Sequence, residues 1–351
     1  MLYFIGSTFP AGAAWYADEI ATIVAIQQQI DNKFSDGRNL LINTTWFGPQ
    51  FDNGQYDKFL QLVKDNQTFD RVFLLAAVDP VFLNHDQVNN LAELVHAKET
   101  YLLGHFDTKY QFNFHAVVVA KYFAEYKEQD LLPTDLCNIF INYNRKPRDH
   151  RVQLINKLIE NNLDQAGVIT LGTDNSGVFN KEEQHPGHLV VKDFDAHGAK
   201  DSMGNDTGSK QFGIPDDIHS VGNLSLWQQH FLNIVSETEF LPWDNTFVSE
   251  KTWKPILGMR PFVINGQAKI YAWLRDQGFR TFNHYFGDIE LENRNELEVH
   301  DSIVSVVKYL QKFSKQDLHN LYDSMLPDLQ HNRQRFFEFA QEQQHKINNL
   351  L

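Results

Sequence analysis

Short apolar runs alternate with segments of helical period along most of this chain. Residues 2–5 (LYFI) read as a strand that breaks at Gly6, and residues 15–29 as a helix with Ile20 and Val24 marking its faces. Leu40 to Ile42 form a second strand, and 56–65 a second helix. The run RVFLLAAV (71–78) is apolar almost throughout, as a strand buried on both faces must be. Residues 86–97 set Val88, Leu91 and Val95 on one helical face, and 101–104 form a further strand. Strand, helix, strand, helix predicts a parallel sheet covered by helices.

The pattern pauses at KEQDLLPTD (127–135) and then restarts. CNIFIN (137–142), GVITLG (167–172), FLNIVSET (231–238) and PFVIN (261–265) read as strands. Helices are expected at 151–163, at 246–257 (entered from Asp244 or Thr246 and stopped by Gly258), at 269–276 (closed by Gly278), at 298–312 and at 315–350. Residues 173–223 are rich in Gly, Asp, Asn and His and lack periodicity, which marks an insertion. The expected organisation is α/β: an N-terminal domain over 1–133, a second domain over 134–315 containing the 173–223 insertion, and C-terminal helices over 316–351 packing back across both. Two such Rossmann-like domains facing a cleft would bind ligands at the carboxyl ends of their parallel strands.

Composition narrows the function. The 351 residues include 31 Lys and Arg against 45 Asp and Glu, a net charge of −14, which disfavours a protein that grips nucleic acid through its phosphates. Residues 1–133 carry 9 basic and 16 acidic side chains, so the N-terminal half offers no basic track. No apolar stretch is long enough for a membrane span, and MLYFIGSTFP reads as a first strand rather than a signal peptide. Cys137 is the sole cysteine, which fits a reducing, cytoplasmic setting.

Two basic islands stand out against this acidic background. Residues 138–160 hold five Lys and Arg with two acids, and residues 250–280 hold six with two. Arg145, Arg148 and Arg151 suit a diphosphate, because a guanidinium grips phosphate oxygens with a planar fork. Charged turns are also what solvated loops look like, and that reading applies to the same residues. In the second island Glu250 and Lys251 sit in the first turn of an expected helix. A carboxylate there is favoured by the helix N-terminus and can accept two hydroxyl hydrogens, as a ribose presents, and Lys251 can neutralise phosphate. Pro255 is expected in an early turn of that helix. An ordinary first-turn acid with a neighbouring lysine has the same appearance.

The stretch TFVSEKTWKPILGMRPFVINGQAKIYAWLRDQGFRTF (246–282) resembles the donor-binding domain of two-domain, GT-B-fold glycosyltransferases of the fucosyltransferase-like and exostosin-like kind. INYNRKPRDHRVQLINKLIENNL (141–163) resembles the first strand, loop and helix of the same domain. Together they cover about a sixth of the chain. Similar stretches occur in phage-encoded proteins. The resemblance implies inverting, metal-independent transfer of a sugar from a nucleotide-diphosphate sugar to a hydroxyl of a saccharide or other polar acceptor. Arg145 would touch the diphosphate, with Arg148 or Arg151 as substitutes. Glu250 would bind the ribose hydroxyls, Lys251 the phosphates and the leaving charge, with Ser249 beside them. Tyr143 or residues 236–238 would flank the base. The donor is a substrate, so no separate cofactor is expected.

Transfer with inversion needs a base for the acceptor hydroxyl proton. Asp79 is the leading candidate because it follows the buried RVFLLAAV run. Asp107 and His105, just past YLLG, come next, and Asp18 and Glu19 rank below them. Asp79–Pro80 is equally what a plain turn looks like. His185, His188 and His197 have a spacing that invites zinc, but the lone cysteine is distant and the neighbouring acids look solvated, so no metal is expected. Two other functions stay open: phage-type glycosylation of hydroxylated DNA bases, and non-catalytic binding of nucleotide sugars on the same fold.

Overall fold

The structure is a computed structural model that describes residues 1–6, 16–44, 55–76, 91–105, 108–144, 148–171, 221–222, 224–238, 240, 246–287, 289–292 and 296–351. It divides into two compact units. One comprises Met1–Val118 with Ala340–Leu351, the other Val119–Phe339.

The first unit holds β1 (Leu2–Ile5), α1 (Tyr16–Lys33), β2 (Asn39–Asn43), α2 (Gln55–Lys64), β3 (Arg71–Ala76), β4 (Glu99–Gly104) and the first half of α3 (Phe114–Phe123). Its strands pair in parallel in the order β1-β2-β3-β4. The apolar run of β3 is buried from Val72 to Ala76, and all of β2 is buried, so both faces of the sheet centre are covered. Ile5, Leu40, Ile42, Val72 and Leu74 meet Phe59 of α2 and Val95 in one core.

The second unit begins with α4 (Glu128–Leu131) and β5 (Asn138–Asn144), followed by α5 (Asp149–Glu160) and β6 (Gly167–Leu171). Then come α6 (Leu224–Gln228), β7 (His230–Ser236), α7 (Glu250–Leu257), β8 (Phe262–Asn265), α8 (Lys269–Asp276), α9 (Glu296–Leu310) and α10 (Lys315–Asn348), whose last turns belong to the first unit. Its strands are also parallel, in the order β6-β5-β7-β8. The chain therefore starts in the middle of this sheet, steps outward to β6, and returns to the other side of β5 as β7. That reversal is a topological switch point, and open parallel sheets leave a crevice for ligands at the carboxyl ends of the strands beside it. Among the described strands of the first unit the order has no such reversal.

The α/β class and the pair of parallel sheets agree with the sequence pattern. The helix expected from 246 is shorter. It starts at Glu250, and its N-cap is Ser249 rather than Asp244 or Thr246. Ser249 Oγ accepts the Lys251 backbone N–H at 3.2 Å, which satisfies one of the first-turn donors that a helix leaves open. Pro255, the sixth residue of the helix, falls in its second turn, early as expected. The end of α7 follows the pattern: Gly258 N–H bonds to the Lys254 carbonyl at 2.7 Å. Gly278 closes α8 at φ +86°, a backbone region that favours glycine, and Phe279 N–H reaches back to the Leu274 carbonyl.

Candidate functional site

The carboxyl ends of β5, β7 and β8 meet beside the switch point. Asn142, near the end of β5, donates from Nδ2 to the Ile234 carbonyl at 2.8 Å and to Ser236 Oγ at 3.0 Å, which ties β5 to the last turn of the β7 backbone. Asn265 at the end of β8 donates to the His150 carbonyl at 3.2 Å and faces His300 of α9 through Oδ1 at 3.0 Å. All of these side chains are buried. Buried amides that bond across strand ends fix the edge of the sheet, since each lost bond would leave an unsatisfied polar atom.

The first turn of α5 closes onto the two residues that follow β7. Arg148 Nη1 donates to the Thr238 carbonyl. Arg151 Nη2 donates to the Glu237 carbonyl at 3.0 Å, and His150 Nε2 lies 3.0 Å from the same oxygen. Facing a carbonyl, Nε2 carries the proton. Burial, with Arg151 and Arg148 alongside, lowers the His150 pKa to about 3, so the imidazole is neutral. Its ring stacks on Phe240 at 5.0 Å, and Phe240 stacks in turn on His300 at 5.4 Å. Burial also lowers the His300 pKa, to about 4.

The Glu237 side chain turns the other way, toward the start of α7, and is fully buried. Its Oε1 accepts the Ser249 backbone N–H at 3.2 Å and the Thr252 hydroxyl at 2.6 Å. Its Oε2 accepts the Ser249 hydroxyl at 2.6 Å and the Thr238 N–H at 3.1 Å. A carboxylate at a helix N-terminus is favoured by the helix dipole, and four donors offset the cost of burying its charge. Lys251 Nζ, half-buried, bonds to Glu250 Oε1 and, at 3.1 Å, to Thr238 Oγ1. Among the described residues these two bonds engage two of the three ammonium hydrogens.

The candidates from the sequence fall into three groups. Arg148, Arg151, Ser249, Glu250 and Lys251 come together around Glu237 and Thr238. Tyr143 lies one residue from the end of β5 with its hydroxyl buried, and burial raises the phenol's pKa. Arg145, Asp79 and Asp107 lie outside the described residues, as does the 173–220 segment with His185, His188 and His197. In the first unit His105 is buried at the end of β4, its ring 6.0 Å from that of His115. Glu19 of α1 is fully buried, and Asn43 at the end of β2 donates to its Oε1 at 3.3 Å.

The sequence did not single out Glu237, His150 or Asn265. One signal was available for Glu237: an acid one residue past the apolar FLNIV run, much the logic that drew attention to Asp79. Among the described residues no cluster of His, Cys, Asp and Glu able to hold a metal ion comes together, and no helix is long and apolar enough to cross a membrane. Comparison with protein-family models, with characterised proteins and with solved structures returns no match to this chain.

Proposed function

We propose that the protein is a glycosyltransferase that moves a sugar from a nucleotide-diphosphate sugar to a hydroxyl of a saccharide or other polar acceptor. One observation carries the reading: Arg148, Arg151 and Lys251 converge on Glu237 and Thr238 at the switch point of the second sheet. Three cations against the carboxylates of Glu237 and Glu250 leave a local positive excess in a chain of net charge −14. A diphosphate is the anion that matches it. Arg145 stands three residues before Arg148 in the sequence.

In this reading Glu250 takes the ribose hydroxyls, Tyr143 and the 236–238 segment border the base, and Lys251 and the arginines hold the two phosphates. The acceptor oxygen forms a bond to the anomeric carbon as the bond from that carbon to the diphosphate oxygen breaks. The electron pair leaves with the nucleoside diphosphate, and its growing charge is stabilised by Lys251 and the guanidinium groups. Asp79 takes the acceptor proton, with Asp107 as the second choice. Stereochemistry inverts at the anomeric carbon. The cations supply the charge stabilisation, so transfer proceeds without added metal. The acidic 1–133 segment argues for a saccharide over a polyanionic nucleic acid acceptor. A chain whose described cysteine, Cys137, is an exposed free thiol suits the cytoplasm.

The test is release of nucleoside diphosphate from a panel of nucleotide sugars with mixed saccharide acceptors. Release from one donor class, undiminished by a chelator and lost in Lys251→Ala, supports the reading. Release that is equal in wild type and Lys251→Ala contradicts it.

A further inference from the structure

Glu237, like its neighbour Thr238, touches both halves of the cation cluster. Its backbone carbonyl gathers His150 and Arg151 from the start of α5. Its carboxylate gathers Ser249 and Thr252 from the start of α7. The two halves are far apart in sequence: Arg151 and Glu237 are 86 positions apart, and Ser249 is 12 positions further on. Both sets reach residues 237 and 238. This two-residue segment therefore ties the start of α5 to the start of α7.

We propose that Glu237 is the positioning residue of the diphosphate site: it clamps the N-terminus of α7 so that Lys251 and Glu250 stand at a fixed distance from the α5 arginines. The inference rests on the diphosphate reading given above and deepens it. Glu237 does not touch the reacting atoms. Both of its oxygens are engaged by protein donors, so it has no place as a base or as a ligand for the sugar. Its charge matters because Ser249 Oγ is shared. That hydroxyl donates to Glu237 and accepts from Lys251 N–H, so the carboxylate orients the cap that in turn starts the helix. Gly266 packs against the stem of Glu237, where an added Cβ would lie 3.0 Å from the Glu237 Cβ, which leaves the side chain little room to shift.

Glu237→Gln tests this. The amide keeps one acceptor oxygen, but it presents N–H groups to Thr238 N–H and to the Ser249 hydroxyl. Calorimetric titration with nucleoside diphosphates should show affinity weakened by about tenfold or more. The stoichiometry should remain that of wild type. Backbone amide exchange in the first turn of α7 should speed up without ligand. Thr252→Val, which removes one donor to Oε1, should weaken binding by about threefold and stands in if Glu237→Gln does not fold. Arg260→Lys is the control: it perturbs the opposite, amino-terminal edge of the same sheet and should lower thermal stability while leaving affinity at the wild-type value.

Several outcomes overturn the inference alone: wild type binds a diphosphate while Glu237→Gln, or Thr252→Val in its place, binds as tightly, or binding weakens no more than in Arg260→Lys. A fall in stoichiometry at unchanged affinity overturns it too, because that is what simple loss of folded protein produces. If wild type binds no nucleoside diphosphate, the diphosphate reading falls. Amide exchange that is then unchanged in the first turn of α7 shows that the clamp has failed independently.

Discussion

Lys251 reaches back from the first turn of α7 to the hydroxyl of Thr238, with Nζ 3.1 Å from Oγ1 across thirteen residues of chain. The contact joins the end of β7 to the start of the next helix. It holds the ammonium at the carboxyl edge of a parallel sheet, where the strand order reverses. A flexible lysine stem is otherwise costly to order. Here Glu250 and Thr238 fix it before any ligand arrives.

Removing that ammonium should weaken diphosphate binding. A charge-assisted contact contributes ~1.5–3 kcal/mol, so Lys251→Ala should raise the dissociation constant about 10- to 100-fold. Arg148→Ala should have a similar effect. Wild-type affinity should fall as salt rises, and more steeply than in either variant. Titration at two ionic strengths checks this, and equal salt slopes in all three proteins would contradict it.

The neutral histidines make stability depend on pH. His150 and His300 have pKa values lowered to about 3 and about 4 in the folded protein, against ~6.5 in an unfolded chain. Above pH 6.5 both states are deprotonated and the histidines contribute no pH dependence. As pH falls below 6.5 the unfolded chain binds protons that the folded chain refuses, so stability drops, by up to ~1.4 kcal/mol per pH unit for each histidine. His150→Gln keeps a donor for the Glu237 carbonyl but cannot titrate. Its urea midpoint should fall less steeply than wild type between pH 6.5 and 5. Parallel slopes would show that His150 is not held neutral.

Arg260 is a fully buried guanidinium that has no carboxylate partner among the described residues. Its Nε and Nη groups donate to the carbonyls of His230, Leu131, Met259 and Trp227 at 2.8–3.0 Å, and to Tyr322 Oη at 3.3 Å. Burial lowers its pKa to about 10, so it stays charged at neutral pH. Arg260→Leu leaves these acceptors unmatched and should cost about 3–5 kcal/mol, the range for breaking a buried charged network. Chemical denaturation measures it, and a loss below 1 kcal/mol would contradict this account.

Gly258 is small for a packing reason. Its φ of −83° suits any residue, but an added Cβ would lie 2.3 Å from Trp227 Cζ2 and 2.8 Å from the Lys254 carbonyl. Trp227 is pinned there by a 2.8 Å bond from Nε1 to the Gly258 carbonyl. Gly258→Ala should therefore destabilise by ~1–3 kcal/mol through overpacking. A thermal midpoint equal to wild type would show that the indole can move.

The strands were legible because a strand covered on both faces must be apolar nearly throughout. The runs RVFLLA, NIFIN and FLNIVS required that burial, and the structure pairs all three in parallel. The helix start at Ser249 was not legible. Asp244, Thr246 and Ser249 are all acceptable caps by residue type, and the choice is made by the Glu237 carboxylate twelve residues upstream. The basic islands could be located, since charge is a local property of sequence. Their partners could not. Arg148 meets Thr238 across 90 residues, and nothing near Arg148 encodes that contact. The place of the site followed from strand order β6-β5-β7-β8, which is set by long-range pairing rather than by any one segment.

The most direct test of the central claim is isothermal titration of the full chain with a panel of nucleoside diphosphates, run beside Lys251→Ala and Arg151→Ala. Saturable binding of one diphosphate by wild type, weakened at least about tenfold in both variants, is the result expected for a site built on these cations. Binding that is equally tight in all three proteins, or no binding to any diphosphate, would contradict it.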